Sequence, residues 1–478
     1  MNYSFASYVP IEITSRCNLK CRHCYGEFPR SGDSEMTTTQ VKELILELYK
    51  LGVFQIEIGG GEPSLRDDFF EILEYASKFN DIDVLVVTNG ILFNDDLLYK
   101  ISSLGKKIKF HISMDGYDPD SYSFLRNNKT GFYKALHTTK YMIENNIPVT
   151  WNVAVGKVTA SYLPKIIDLA KEIGLKNIRL MILYDNGRSS KNRLGFSFKE
   201  YQNFLERFMR DEFNDCGVRI SISFSQPFEY FIPLMELGYS KNEIVNKLGS
   251  LGDSCMCDPV YRSMTNLSCT GGRNKGSVDT NGNFHFCCML TNHLEYAGGN
   301  IFCSSLKDIW DNSEAFEWIR SIRLEDLNTT CYKCKYKDLC GGGCRARALY
   351  ATGDFLGCDP LCPLVKPERK NTQLLIPFVS SHKNNNNSKI KLSNLKKHNL
   401  SMIINNTNLR IRIEEFGASI YNEKGNSYVV NKDGLELLKY MNEFQSPEKV
   451  VEYLSSKKNI NSKISVEFIN DFGYQITK

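Results

Sequence analysis

The chain has 478 residues, 42% of them hydrophobic, and a formal net charge of +4 from 59 basic and 55 acidic side chains. That length and apolar content suffice for two or three packed domains, and the balanced charge leaves neither a nucleic-acid footprint nor a broad attraction to anionic membrane. The start, Met1-Asn2-Tyr3-Ser4-Phe5-Ala6, has no basic stretch leading into an apolar core, and no apolar run approaches the ~20 residues of a spanning helix, so the expected location is the cytoplasm.

Residues 8–14, Tyr-Val-Pro-Ile-Glu-Ile-Thr, read as a strand that runs straight into the first cysteines. A helix is expected at about 37–51, where Val41, Leu44, Ile45 and Leu48 recur at helical spacing. The alternation repeats, with strands near Phe54–Ile58, Val84–Val87, Ile108–Ser113, Val149–Val155 and Ile178–Leu183, and helices near 68–79, 95–104, 133–145 and 160–173. Strands alternating with helices of that length indicate βαβ units around a parallel sheet. Six such strands suit an open, partial (β/α)6 barrel with ligands at the strand C-terminal ends, although a closed eight-unit barrel or a doubly wound sheet fits the pattern alone nearly as well.

Of sixteen cysteines, three lie at 17–24, one is Cys216, and twelve fall between 255 and 362. Thiols of a cytosolic chain stay reduced, so bunching at short spacing points to metal ligation. Residues 255–365 are otherwise glycine-rich and show little periodicity apart from one expected helix, Leu306–Ile322. Such a segment needs metal to become ordered. The composition shifts again after Lys366, where a lysine-rich polar stretch around Asn384–Asn387 reads as a flexible linker to about 400.

Cys17, Cys21 and Cys24 stand as Cys-x3-Cys-x2-Cys at the end of the first strand. Three thiolates can hold three irons of a [4Fe–4S] cube and leave the fourth iron open to a ligand. A zinc knuckle is the alternative, but only His23 stands nearby to complete it. Gly59-Gly60-Gly61-Glu62-Pro63 follows the second strand, where a glycine backbone lets a cofactor approach and Glu62 can accept from an amine. An ordinary strand-to-helix turn explains that run equally well by itself. Ser113, in Ile112-Ser113-Met114-Asp115-Gly116 after the fourth strand, and Arg126 could meet a ribose or a carboxylate.

In this order, over roughly residues 8–240, these features resemble the radical S-adenosylmethionine (SAM) superfamily. The resemblance implies that the three cysteines bind the cube, that SAM chelates the open iron through its amino and carboxylate groups, and that reductive cleavage gives a 5′-deoxyadenosyl radical. It implies that Gly60, Gly61 and Glu62 bind the methionine amine, that Ser113 and Arg126 bind ribose and carboxylate, and that backbone near Leu183 meets adenine. His23 stands where the family has an aromatic that packs on adenine. A reductase such as flavodoxin or ferredoxin would supply the electron.

Further on, Cys269 is followed after twelve residues by Gly282 and after four more by Cys287; then come Cys331-x2-Cys334-x5-Cys340-x3-Cys344, and finally Cys358 and Cys362. A pair of zinc ribbons is the plain alternative. The pattern resembles the SPASM domain, the auxiliary-cluster module of radical SAM enzymes that modify peptides and some other substrates. That resemblance implies three [4Fe–4S] clusters in all. Cys269, Cys287 and Cys344 would hold the inner auxiliary cluster, with Cys255 or Cys257, a substrate or an open site as its fourth ligand. Cys331, Cys334, Cys340 and a later cysteine would hold the outer one. Cys358 and Cys362 compete for that last place, and Asp359-Pro360-Leu361-Cys362 favours Cys362. Cys288 stands where sulfatase-maturing members carry an aspartate base, which argues against that activity; its thiol could donate a hydrogen atom, bind the cluster, or simply pack.

Beyond about 405, Leu409, Ile411 and Ile413 alternate with charged residues, Ala418–Tyr421 and Tyr428–Val430 follow as strands, and helices are expected at about 433–442, 447–455 and 464–475. This order resembles the small winged-helix recognition element of ribosomal-peptide biosynthesis, which adds a leader peptide to its sheet edge. A winged helix serving dimerisation or DNA binding is the alternative. The expected organisation is a radical SAM partial barrel at 1–240, a SPASM domain at 241–366, a linker at 367–404 and a peptide-recognition element at 405–478. The expected function is modification of a ribosomally made precursor peptide, with a tetrapyrrole side-chain enzyme and a zinc-stabilised binding scaffold as alternatives.

Overall fold

The computed structural model describes residues 5–30, 34–213, 216–223, 228–248, 267–327, 331–362, 364, 410–414, 417–421 and 427–431. The expectations for Cys255, Cys257, the 367–404 linker and the helices after 433 fall outside those residues.

The six expected strands are all present: β1 (Tyr8–Thr14), β2 (Gln55–Gly60), β3 (Asp83–Thr88), β4 (Ile108–Ser113), β5 (Val149–Val155) and β6 (Asn177–Ile182). Helices connect them: α1 (Thr38–Lys50), α2 (Phe69–Ala76), α3 (Asp95–Ser102), α4 (Pro119–Arg126), α5 (Lys129–Glu144) and α6 (Leu163–Glu172). Each strand pairs in parallel with the next, as helical crossovers require. A seventh parallel strand, β7 (Arg219–Ser223), extends the sheet beyond β6 after helices α7 (Gly187–Asn192) and α8 (Phe198–Met209).

Local chemistry sets the helix starts. Thr37 closes a capping box with Gln40 ahead of α1, whose buried Val41, Leu44, Ile45 and Leu48 form the expected stripe. Asp118 caps α4, with Pro119 in its first turn. Helices α9 (Phe228–Met235) and α10 (Lys241–Leu248) complete this part.

The cysteine-rich segment joins the same sheet. Strand β8 (Ser277–Val278) lies parallel to β1, with Ile11 opposite Val278, and β9 (Asn283–His285) and β10 (Ala297–Asn300) follow it antiparallel. The full order is β10-β9-β8-β1-β2-β3-β4-β5-β6-β7. This segment also has an apolar core. Trp310 is fully buried, with ring centroids 5.1 Å from both Phe5 and Phe316, and Phe284 lies 5.2 Å from Phe316. Trp310 and Phe316 belong to the expected helical stretch, whereas Phe5 and Phe284 are distant in sequence and no periodicity announces their part. The single helix expected at 306–322 is two, Leu306–Asn312 and Glu314–Ser321. Ser313 is extended and its side chain accepts from the Phe316 amide, which ends one helix and caps the next.

A separate compact unit contains the antiparallel sheet β11 (Arg410–Glu414), β12 (Gly417–Tyr421) and β13 (Ser427–Asn431), in that order. These are the three strands expected from the alternation. Ala418, Ser419 and Tyr421 are buried. Among the described residues, no helix is long and apolar enough to cross a membrane.

Candidate iron–sulfur and SAM site

The register of β1 shifts between Glu12 and Thr14, which face Gly59 and Gly60, and the chain then leaves the sheet as the cysteine loop. The loop lies directly on the glycine run. Gly60 has φ +113°, and a Cβ there would stand 2.4 Å from the Thr14 carbonyl oxygen; one at Gly61 would stand 2.0 Å from that of Arg16. The Gly61 and Glu62 amides donate to those two carbonyls, at 2.8 Å each. What approaches the glycines so closely is therefore the backbone of the cysteine loop, a packing constraint that the sequence does not reveal.

Glu62 is buried and occupied. Its carboxylate accepts from Ser64 Oγ at 2.5 Å, Thr88 Oγ1 at 2.6 Å and the Asn89 amide at 2.7 Å, while burial raises its pKa above the usual carboxylate range. Asn89 Nδ2 donates in turn to Asn18 Oδ1 at 2.8 Å, inside the cysteine loop.

Cys21 packs with Leu19 and Ile91, and Cys17 and Cys24 pack against that cluster. Burial pushes the Cys17 thiol up to about 12 and raises Cys21 as well. Bare thiolates are unfavourable here, and a bound iron's positive charge is what this donor set lacks. Arg126 Nη1 is 3.7 Å from Cys21 Sγ, and its Nε donates to Asp115 Oδ2 at 2.5 Å. Asp115 also accepts from the Ala154 amide at 2.7 Å and lies 3.8 Å from His23 Nε2. Burial lowers His23 to about 4, so its ring is neutral near pH 7; its buried Nδ1 has no partner among the described residues.

Thus Cys17, Cys21, Cys24, His23, Arg126 and Glu62 gather at one end of the sheet. Ser113 ends β4 opposite Asn152, and Leu183 packs with Leu125, Ala154 and Leu194 just past β6. Sequence reasoning left two participants unassigned. Asp115 stood in the quoted motif, where its buried pairing with Arg126 was not foreseeable. Arg188, which donates to the Cys21 and Phe28 carbonyls at 2.7 Å each, has no local signature at all.

The second cysteine group is also assembled. The Cys269 and Cys344 thiols lie close enough to disfavour ionisation of Cys287, and burial pushes Cys344 up to about 11. Cys331, Cys340 and Cys362 border a cleft of about 30 Å³ with Tyr201, Glu229 and Asp359, and burial pushes Cys340 up to about 12. Cys358 lies against Cys362 and is itself buried, away from the cleft's rim. Cys334 sits one turn from Cys331, its sulfur accepting from the Tyr336 amide at 3.4 Å. Burial disfavours these thiolates without a counter-charge, although among the described residues no three such side chains converge as closely as a metal site requires.

A buried ion network runs between the two groups. Arg347 Nη1 donates to Glu229 Oε1 at 2.5 Å and its Nη2 to Asp359 Oδ2 at 2.8 Å, while the guanidinium lies 4.3 Å from the Tyr184 ring centroid. Asp359 also accepts from the Cys344 amide at 2.6 Å. Although burial opposes it, Arg347 holds the Asp359 carboxyl below its usual value.

Cys288 opens a short 3-10 turn, Cys288–Leu290, just after β9. Its sulfur accepts from the Cys287 thiol, which lowers Cys288 and raises Cys287. It borders a second, small cleft of about 10 Å³ with Glu12, Tyr25, Glu57 and Gly60. Residues on β1 and β2 and a residue beside the inner cysteine group therefore share one opening.

Residues 11–170 match the radical SAM superfamily, and residues 269–335 match SPASM, an iron–sulfur cluster-binding domain. With its three-cysteine loop at the sheet's end and a second thiol assembly joined through β8, the chain is an enzyme of the radical SAM superfamily that carries a SPASM domain. It is similar to an AdoMet-dependent heme synthase of Methanosarcina barkeri, 29% identical over 75% of this chain and 96% of the relative. It is also similar to a PqqA peptide cyclase of Bradyrhizobium diazoefficiens, 26% identical over 74% of this chain and 86% of that one. The fold resembles Streptococcus suis SuiB, solved bound to the precursor peptide SuiA, with a TM-score of 0.59 and 17% identity over 76% of each chain.

Two expectations follow. Gly61→Ala should push the cysteine loop off its seat, so the reconstituted variant should hold about four irons fewer and cleave SAM more than about tenfold slower. Iron analysis and 5′-deoxyadenosine assay check this. Arg347→Met should strand two buried carboxylates and cost about 3–5 kcal/mol, seen as a lowered unfolding midpoint; Arg347→Lys should recover only part, because a point charge cannot bridge both partners.

Proposed function

We propose that this enzyme modifies a ribosomally made precursor peptide, joining or altering its side chains through hydrogen abstraction. The observation that carries this reading is the separate β11-β12-β13 sheet beyond the regions matched by the two family models. The heme synthase relative uses up 96% of its own length on 75% of this chain, so about a quarter of this chain has no counterpart there. A peptide binder is a natural use for that addition. Strands β11 and β13 flank β12 in the described sheet, and a leader would add to such a sheet as a further extended strand. In this reading residues 405–478 are the recognition element, tethered by the 367–404 linker to the barrel and SPASM regions. The tether raises the leader's effective concentration at the site. The similarity to a peptide cyclase and the fold shared with a protein solved on its precursor support the same substrate class.

Within the barrel, Cys17, Cys21 and Cys24 would hold one [4Fe–4S] cluster, which supplies reductive SAM cleavage when a flavodoxin- or ferredoxin-type reductase delivers an electron. Arg126 and Ser113 would orient the SAM carboxylate and ribose, the Gly60–Glu62 backbone its amine, and His23 and the chain near Leu183 its adenine. The neutral His23 ring suits stacking. Cys269, Cys287 and Cys344 would hold the inner auxiliary cluster, with Cys257 a candidate fourth ligand. Cys331, Cys334, Cys340 and Cys362 would hold the outer one, Cys362 being preferred because it borders the cleft. Cys288 would stand between cluster and substrate.

The test compares the whole enzyme with a chain ending at Phe378, the boundary of the larger compact unit. The substrate probe is the synthetic product of a short open reading frame adjoining the gene. The shortened chain should keep its iron and its uncoupled SAM cleavage, yet lose modification of the leader-bearing peptide by at least about tenfold, or ~1.4 kcal/mol. Equal modification by both chains would remove the C-terminal unit as the anchor. Turnover of a tetrapyrrole instead of the peptide would establish the heme-synthase-like reading.

A further inference from the structure

The Cys288 cleft contains two carboxylates that the radical chemistry leaves unused, and they differ in how they are held. Glu12 is 5% exposed and occupied on both oxygens, by Arg30 Nη2 at 2.5 Å and Thr291 Oγ1 at 2.8 Å. It ties the cysteine loop to the SPASM segment. Glu57 is half-buried on β2, beside Pro10 of β1, and borders the cleft with Gly59, Cys288 and Tyr25. Its Oε2 accepts from the Tyr8 hydroxyl at 2.5 Å, and its Oε1 has no partner among the described residues. Lys275 Nζ lies 5.6 Å from the Tyr8 ring centroid, which keeps a positive charge beside this pair.

The chemistry of peptide modification calls for such a group. Removing a hydrogen atom from a substrate C–H leaves a carbon radical. When that carbon joins a second substrate group X–H, the C–X bond forms, the X–H bond breaks, and a proton and an electron must both leave. The position after the inner-cluster Cys287 carries a thiol, Cys288, rather than a carboxylate.

We propose that Glu57 is a catalytic residue of this enzyme, the acceptor of the proton that the substrate releases as its new bond forms. This role rests on the peptide-modifying function above. The proton passes to Glu57 Oε1, and the electron passes to an oxidised auxiliary iron–sulfur cluster, the named oxidant. One substrate hydrogen thus leaves as an atom to the deoxyadenosyl group and the other as a proton to Glu57. Tyr8 steadies the carboxylate through Oε2 and leaves Oε1 to accept. Glu12 has both oxygens taken by Arg30 and Thr291, so it serves as a strut rather than a base.

The test uses the full chain with its clusters reconstituted and the same synthetic peptide. Glu57→Gln keeps a carbonyl acceptor for Tyr8 but turns a non-basic amide toward the cleft. At equal iron content and equal peptide affinity, measured by anisotropy, the ratio of modified peptide to 5′-deoxyadenosine should fall at least tenfold. Glu57→Asp retains a carboxylate and should restore much of that ratio. A ratio in Glu57→Gln equal to that of the unsubstituted enzyme would overturn the role. So would loss of iron or of peptide affinity in both variants alike, which would make Glu57 structural. If the unsubstituted enzyme modifies no peptide, it is the proposed function that fails.

Discussion

The rest of the molecule depends on strand β1 being hydrogen-bonded on both edges. On one side it pairs residue by residue with β2, and on the other Ile11 meets Val278 of β8. A parallel strand with both edges paired is buried between its neighbours, and Val9, Ile11 and Ile13 are accordingly almost wholly shielded. This one strand therefore couples the radical SAM region to the cysteine-rich region. Its alternate residues Tyr8 and Glu12 stand at the Glu57 and Cys288 cleft, and its C-terminal end becomes the loop that carries Cys17, Cys21 and Cys24.

The second organising fact is desolvation. Thiols in both cysteine groups are raised by burial, and Cys287, Cys340 and Cys344 are raised further by neighbouring thiols. Protein cations offset only part of this. Arg126 approaches Cys21, and Arg347 is committed to Glu229 and Asp359. The arrangement makes chemical sense with iron in place, where the metal charge stabilises thiolates that the protein alone would keep protonated. Asp359 adds mechanical coupling, because it holds the Cys344 amide from the loop that leads to Cys362.

Much of this was legible in the sequence, for physical reasons. Helical crossovers impose a repeating 2-then-3.6 period, and metal loops impose short cysteine spacings, so β1–β6 and both cysteine groups could be read directly. Other features could not. In β7, Arg219–Ser223, polar residues occupy alternate positions and leave a weak apolar signal. Ser313 divides a stretch whose apolar spacing is helical throughout. Glu12 and Glu57 alternate with buried apolar residues, and a polar cleft looks like solvent when only alternation is available. The cysteine-loop backbone that packs on Gly60 and Gly61 leaves no mark in the local sequence, because its approach is set by the register of β1 on β2.

The central claim is that Cys17, Cys21 and Cys24 hold the cluster that cleaves SAM, while the later cysteines hold two others. Iron, sulfide and 5′-deoxyadenosine should be measured together on the anaerobically reconstituted full chain and on its Cys17→Ala, Cys21→Ala, Cys24→Ala variant. The account predicts about twelve irons in the first and about eight in the second, with SAM cleavage abolished. Residual cleavage in the triple variant at a tenth of the original rate or more would contradict it, because removing that site should cost far more than the ~1.4 kcal/mol of a tenfold loss.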